Sequence, residues 1–227
     1  MTGTAAGVTD GVLACYLAVD TSDSMAGGPL HAAAAEVARL WDAAGADRRL
    51  AARCRLGVVT FDREARVQVP LTRPADAGRP PWLALTRPGT DYDALFAVLG
   101  PLVAADRAAL RGAGLHPLRP LVVVLTDGRP DRPDWQPAHA ALTAPARPGA
   151  PQVLAVGIGR ADAAVVRELA TAGACLPAAG ADGGAAAPAG TLAAVVRVLL
   201  ATLAGSHDGV GDRPAPGAGG WRALSVV

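Results

Sequence analysis

Apolar residues enter this chain in two rhythms. Short unbroken runs bounded by turn residues cover 12–19, 55–61, 121–126 and 152–158, and each reads as a strand buried on both faces. The run Leu121-Val-Val-Val-Leu-Thr126 is β-branched and uncharged, which places it at the centre of a sheet. Between these runs the apolar positions recur every three or four residues. That spacing predicts helices over 30–46 (Val37, Leu40, Trp41, Ala44), 92–111 (Leu95, Val98, Leu99, Leu102, Val103) and 161–172 (Val165, Val166, Leu169). It also predicts a closing helix over 191–203, with Leu192, Val195, Val196, Leu199, Leu200 and Leu203 on one side. Asp134 is placed to cap a short helix through Leu142, and Pro101 to kink or split the long helix that contains it.

Alternating strands and helices predict an α/β fold, a doubly wound and mostly parallel sheet with helices on both faces. One connection breaks the alternation. Only Asp62-Arg63-Glu64 separate the strand 55–61 from a further strand at 65–69. So short a link forces an antiparallel hairpin, because a parallel crossover needs about a dozen residues or more. Residues 174–176 add a short edge strand. Residues 1–11 read as a lead-in, 12–204 as one domain and 205–227 as a Gly/Pro-rich tail.

The chemistry sits where strands stop. The first run ends at Asp20 and continues Thr21-Ser22-Asp23-Ser24, giving Asp20-x-Ser22-x-Ser24 around one tight turn. Open α/β sheets place their ligands beyond the carboxyl ends of their strands. Hard oxygens without His or thiolate suit Mg²⁺ or Mn²⁺. The central run ends likewise, in Thr126-Asp127-Gly128. A Pro- and Arg-rich loop with Trp82 delivers Gly89-Thr90-Asp91 to the start of the long helix, where Thr90 taken alone serves as an N-cap.

Asp20-x-Ser22-x-Ser24, then Thr90, then Asp127 resemble, in order, the three elements of the metal-ion-dependent adhesion site of von Willebrand factor A (VWA) domains. The resemblance covers roughly residues 12–203. It implies a Rossmann-like sheet of six strands in the order 3-2-1-4-5-6, with strand three antiparallel, so that Asp20 and Asp127 flank the point where strand order reverses. It also implies direct metal ligation by Ser22, Ser24 and Thr90, with Asp20 and Asp127 acting partly through water. Neutral direct ligands leave the ion electron-poor, ready for an Asp or Glu carboxylate from a protein partner. The phrase Leu56-Gly-Val-Val-Thr-Phe-Asp62 followed by Val67-Gln-Val-Pro-Leu71 looks like the bacterial VWA subgroup associated with tellurite-resistance and stress gene clusters. That likeness implies a cytoplasmic adaptor in a stress-response or signalling assembly, with kinases or phosphatases as partners.

Composition narrows the alternatives. With 21 basic and 20 acidic residues the net charge is +1, which gives no electrostatic basis for nucleic-acid binding. Every basic residue is Arg, so a P-loop or a phosphate-receiver site that needs Lys is excluded. A haloacid-dehalogenase-type phosphatase needs a second Asp two residues after the first, where this chain has Ser22. Neither Ser22 nor Ser24 lies in a G-x-S-x-G elbow, and His31, His116, His139 and His207 have no evident catalytic partner. Cys15, Cys54 and Cys175 read as buried reduced thiols, in keeping with a cytoplasmic setting. No run is long enough for a membrane span, and residues 1–11 lack signal-peptide character. The expectation is a non-enzymatic, metal-dependent protein-binding module. A metal-independent scaffold is the alternative, and a metal-dependent phosphohydrolase a weaker one.

Overall fold

The computed structural model describes residues 11–77, 86–177 and 190–205. The tail from 206, His207, Trp82, the 178–189 loop and all of the lead-in but Gly11 lie outside the described residues.

The first strand, β1 (Leu13–Asp20), is buried along its whole length. The chain continues through a 3-10 turn (Asp23–Met25) into α1 (Gly28–Ala46) and α2 (Arg48–Arg53). Strands β2 (Cys54–Phe61) and β3 (Ala65–Thr72) form the hairpin expected from their short link. Then come α3 (Tyr92–Gly112), β4 (Leu121–Thr126), α4 (Gln136–Thr143), β5 (Gln152–Gly157), α5 (Ala163–Leu169), β6 (Gly173–Cys175) and α6 (Thr191–Gly205).

The six strands lie in the order β3-β2-β1-β4-β5-β6, parallel except for β3. Both the order and the one antiparallel strand match the sequence expectation. Strand residues alternate between two helical layers, as a pleat with period two requires. Leu13, Cys15, Leu17 and Val19 of β1 share a core with Val37, Leu40 and Trp41 of α1 and Val195, Leu199 and Leu203 of α6. Ala14, Tyr16 and Ala18 face the other layer, with Leu95, Phe96 and Leu99 of α3, Trp135, and Val166 and Leu169 of α5. Burial on both faces explains why β1 and β4 read as continuous apolar runs rather than alternating ones.

One helix was not foreseen, and three local expectations are corrected. The segment before β2 contains α2, whose N-cap Asp47 accepts the N–H groups of Arg49 and Leu50. With six residues and Leu50 as its only fully buried side chain, α2 carries no readable period. Asp134 does not cap α4: Trp135 holds the cap position, with no side-chain hydrogen bond, and Pro137 stands in the first turn. The helix foreseen at 161–172 is trimmed at both ends, because Asp162 accepts the N–H groups of Ala164 and Val165 and starts α5 there. Pro101 does not split α3, which runs unbroken around it.

Candidate metal centre

Two neighbouring parallel strands and one loop build the site. In the β1–β4 register Val19 pairs with Leu125, so Asp20 and Thr126 end their strands side by side. Asp20 is fully buried. Its Oδ1 accepts the Ser22 N–H at 2.9 Å and its Oδ2 accepts the Thr126 hydroxyl at 2.6 Å. The 3-10 turn is closed by Met25 N–H donating to the Ser22 carbonyl at 2.9 Å. It brings the Ser22 and Ser24 hydroxyls to 3.0 Å from each other, with Ser22 buried and Ser24 exposed.

Beyond Thr126, Asp127 is buried and Gly128 turns with φ +69°. A Cβ at Gly128 would lie 2.9 Å from the Asp162 carbonyl, so the turn has no room for a side chain. The Asp127 carbonyl accepts the Asp162 N–H at 2.8 Å, which ties this turn to the start of α5. Asp127 Oδ2 lies 3.8 Å from Arg129 Nε. Asp127 Oδ1 is buried with no hydrogen-bond partner among the described residues. An isolated buried carboxylate oxygen is costly, and such an atom calls for an explanation.

The loop before α3 is fastened to both strand ends. Arg87 N–H donates to the Thr21 carbonyl at 3.0 Å, Asp91 N–H to the Asp62 carbonyl at 2.8 Å, and Asp131 N–H to the Thr90 carbonyl at 2.9 Å. Thr90 is thereby buried against the turn that follows β4. Thr90 is not the cap of α3; Asp91 is, accepting the Ala94 N–H at 3.0 Å. The cap reading of Thr90 falls.

Electrostatics follow from the crowding. Burial pushes the Asp20 carboxyl up to about 6, hydrogen bonds from Ser22 and Thr126 partly offset that, and the neighbouring Asp127 adds to it. Tyr92 sits among Phe61, Phe96 and Trp135, its hydroxyl 3.0 Å from Thr126 Oγ1. Burial drives its phenol pKa far up, so it stays protonated.

The five residues singled out from sequence, Asp20, Ser22, Ser24, Thr90 and Asp127, thus lie on connected turns at one end of the sheet. Their donor set is all oxygen, with two carboxylates and three hydroxyls. Among the described residues no group of three or more His, Cys, Asp or Glu gathers at metal-binding range, so any ion here depends on the hydroxyls. The set fits a hard divalent cation, and the unpartnered Asp127 Oδ1 is the clearest sign of that fit. Both oxygens of Asp20 already accept a hydrogen bond, in keeping with a role partly through water. Sequence reasoning missed Thr126 and Tyr92. The hydroxyl next to Asp127 was a signal for the first; nothing local marked the second.

Among the described residues His139 and the three cysteines lie in the core, while His31 and His116 are exposed. His139 packs against Phe96 and Trp135, with Nε2 3.0 Å from the Leu169 carbonyl. Cys15, Cys54 and Cys175 are buried free thiols, as expected, and burial pushes Cys54 up to about 12.

A doubly wound sheet with an oxygen-rich cluster at its switch point defines a Rossmann-like ligand-binding domain. The model of the von Willebrand factor type A domain matches residues 15–182, and the chain belongs to that family. No curated protein matches it in sequence. Among solved structures, BatB of Bacteroides thetaiotaomicron superposes with TM-score 0.57 at 16% identity, over 85% of this chain and 99% of its own. A von Willebrand factor type A protein of Catenulispora acidiphila gives TM-score 0.57 at 17% identity, over 86% and 43%. Proximal thread matrix protein 1 of the mussel byssus, with a zinc-occupied MIDAS motif, gives TM-score 0.52 at 16% identity, over 85% and 48%. The chain therefore spans less than half of the latter two. Domains of this family typically mediate protein–protein interactions, some of them through a metal site. Among the described residues no helix is long and apolar enough to cross a membrane.

Proposed function

We propose that this chain is a divalent-metal-dependent protein-recognition module, with the ion held by Asp20, Ser22, Ser24, Thr90 and Asp127. The observation that carries this reading is the buried, unpartnered Oδ1 of Asp127 beside the buried carboxylate of Asp20. A cation between the two would give that oxygen a partner and oppose the repulsion between them. Five protein groups leave room in a shell of about six oxygens for water or one outside ligand. In this reading the direct ligands are neutral hydroxyls and the carboxylates act partly through water, so an incoming Asp or Glu side chain would meet an electrophilic ion. Mg²⁺ or Mn²⁺ is the proposed occupant from the hard oxygen set; the zinc held by the mussel protein supports divalent binding at a motif of this kind.

The chain binds rather than reacts in this reading. Asp20 has both oxygens engaged in hydrogen bonds, which suits a fixed ligand better than a nucleophile. We place it in the cytoplasm as an adaptor in a bacterial stress-response assembly, with kinases or phosphatases as partners; the support is the likeness of residues 56–71 to the tellurite-resistance-associated subgroup. The test is capture from cytosol on immobilised chain, in Mg²⁺ and in EDTA, with Asp20→Ala alongside. A protein retained only by wild type with metal is the expected result. Proteins retained equally in all three conditions would favour the metal-independent scaffold.

A further inference from the structure

Thr126 Oγ1 makes three hydrogen bonds, and their directions can be assigned. The ionised Asp20 carboxylate only accepts, so the single Thr126 proton goes to Asp20 Oδ2 at 2.6 Å. The Gly128 N–H only donates, and it reaches Thr126 Oγ1 at 3.0 Å. One lone pair remains, and the Tyr92 hydroxyl lies 3.0 Å away. Tyr92 must therefore donate to Thr126. The chain of donors runs Tyr92 to Thr126 to Asp20, and the Thr126 oxygen is saturated.

Resting on the metal reading above, we infer that Thr126, aimed by Tyr92, is a positioning residue that sets the Asp20 carboxylate and the Asp127 turn in one geometry for the ion. Its hydroxyl grips Asp20 at the end of β1 and the Gly128 amide just past Asp127 in the turn after β4, so both carboxylates answer to one oxygen. Valine has nearly the same shape but would release all three partners. Serine keeps the hydroxyl. Tyr92→Phe keeps the ring among Phe61, Phe96 and Trp135 while removing the donor that orients Thr126.

The experiment is Mn²⁺ titration calorimetry on the metal-free full chain, at a temperature where circular dichroism is native, with the thermal midpoint in EDTA measured alongside. Thr126→Val is expected to weaken Mn²⁺ by about 10–100-fold, the range typical of groups that orient metal ligands. Thr126→Ser should return affinity close to wild type, and Tyr92→Phe should fall between. Leu199→Ala, buried in the opposite layer, should lower the midpoint but leave Mn²⁺ affinity unchanged. Wild-type affinity in both Thr126→Val and Tyr92→Phe would overturn the inference. So would an equal loss in Leu199→Ala, which would make the effect one of stability. If Thr126→Val does not fold, Thr126→Ser and Tyr92→Phe carry the same test. If wild type itself binds no Mn²⁺, the metal reading fails and this inference falls with it; if wild type binds and the variants do too, only this inference fails.

Discussion

Thr126 at the end of β4 donates a 2.6 Å hydrogen bond to Asp20 at the end of β1, across 106 residues of chain. Sheet topology makes that contact. β1 and β4 are parallel neighbours at the point where strand order reverses, so their carboxyl ends open side by side. The loop carrying Thr90 is then pinned across them by Arg87 and Asp131, and to the end of β2 by Asp91.

Asp127 lies near the buried Asp20 carboxylate and leaves its Oδ1 without a hydrogen-bond partner among the described residues. Asp127→Asn removes the charge while keeping the shape, so in EDTA its thermal midpoint should equal or exceed that of wild type. Saturating Mg²⁺ should raise the wild-type midpoint, because binding at about 100-fold above Kd adds about 2.7 kcal/mol. The variant should show little of that rise. Differential scanning fluorimetry with and without Mg²⁺ reads both effects, and a full Mg²⁺ response in the variant would remove Asp127 from the site.

Asp20 sets a pH dependence. Its folded pKa is raised from 3.8 to about 6, chiefly by burial. The folded state therefore holds the proton more tightly than the unfolded state between those values. The associated stability is fully present below 3.8 and is lost as pH rises through about 6. Metal competes for the same carboxylate. The Mg²⁺-dependent rise in midpoint should be full at neutral pH and shrink as pH falls below about 6, whereas the EDTA form should lose this contribution as pH rises through the same window. Paired melts from about pH 3.5 to about pH 7, which brackets 3.8 and about 6, check both slopes.

Thr90 and Asp91 are adjacent but separable. Asp91→Ala removes the cap of α3 and should cost about 1 kcal/mol in urea unfolding with little change in metal affinity. Thr90→Ala should do the reverse. Loss of helix stability on Thr90→Ala, with unchanged metal affinity, would restore the capping role to Thr90.

Gly128 holds the turn after Asp127 at φ +69°, with the Asp162 carbonyl where a Cβ would go. Gly128→Ala should destabilise the fold by about 1–3 kcal/mol in urea and weaken metal binding, because the Asp127 turn must shift. A neutral effect on both would show that the turn is not held as tightly as its contacts imply.

Much of this was legible in the chain. Runs such as 121–126 gave the strands, the three-residue link at Asp62-Arg63-Glu64 gave the antiparallel hairpin, and carboxylates at strand ends marked the site. What escaped was set by contacts distant in sequence or by elements too short to show a period. Tyr92 reads as the first residue of an amphipathic helix; only the packing of α3 on the sheet brings its hydroxyl to Thr126. The choice between cap and ligand for Thr90 was settled against the cap by its neighbour, Asp91, whose carboxylate reaches Ala94 first. Helix α2 rests on Asp47 and Leu50, too few positions for a repeat.

The most direct test of the metal centre is a crystal of the metal-free protein soaked in Mn²⁺ and measured for anomalous scattering. One peak among the oxygens of Ser22, Ser24, Thr90 and Asp127, with Asp20 close behind it and no such peak in Asp20→Ala, is the expected result. Saturating Mn²⁺ with no peak there, or a peak bound elsewhere on the chain, would contradict a metal-dependent recognition site at the end of β1 and β4.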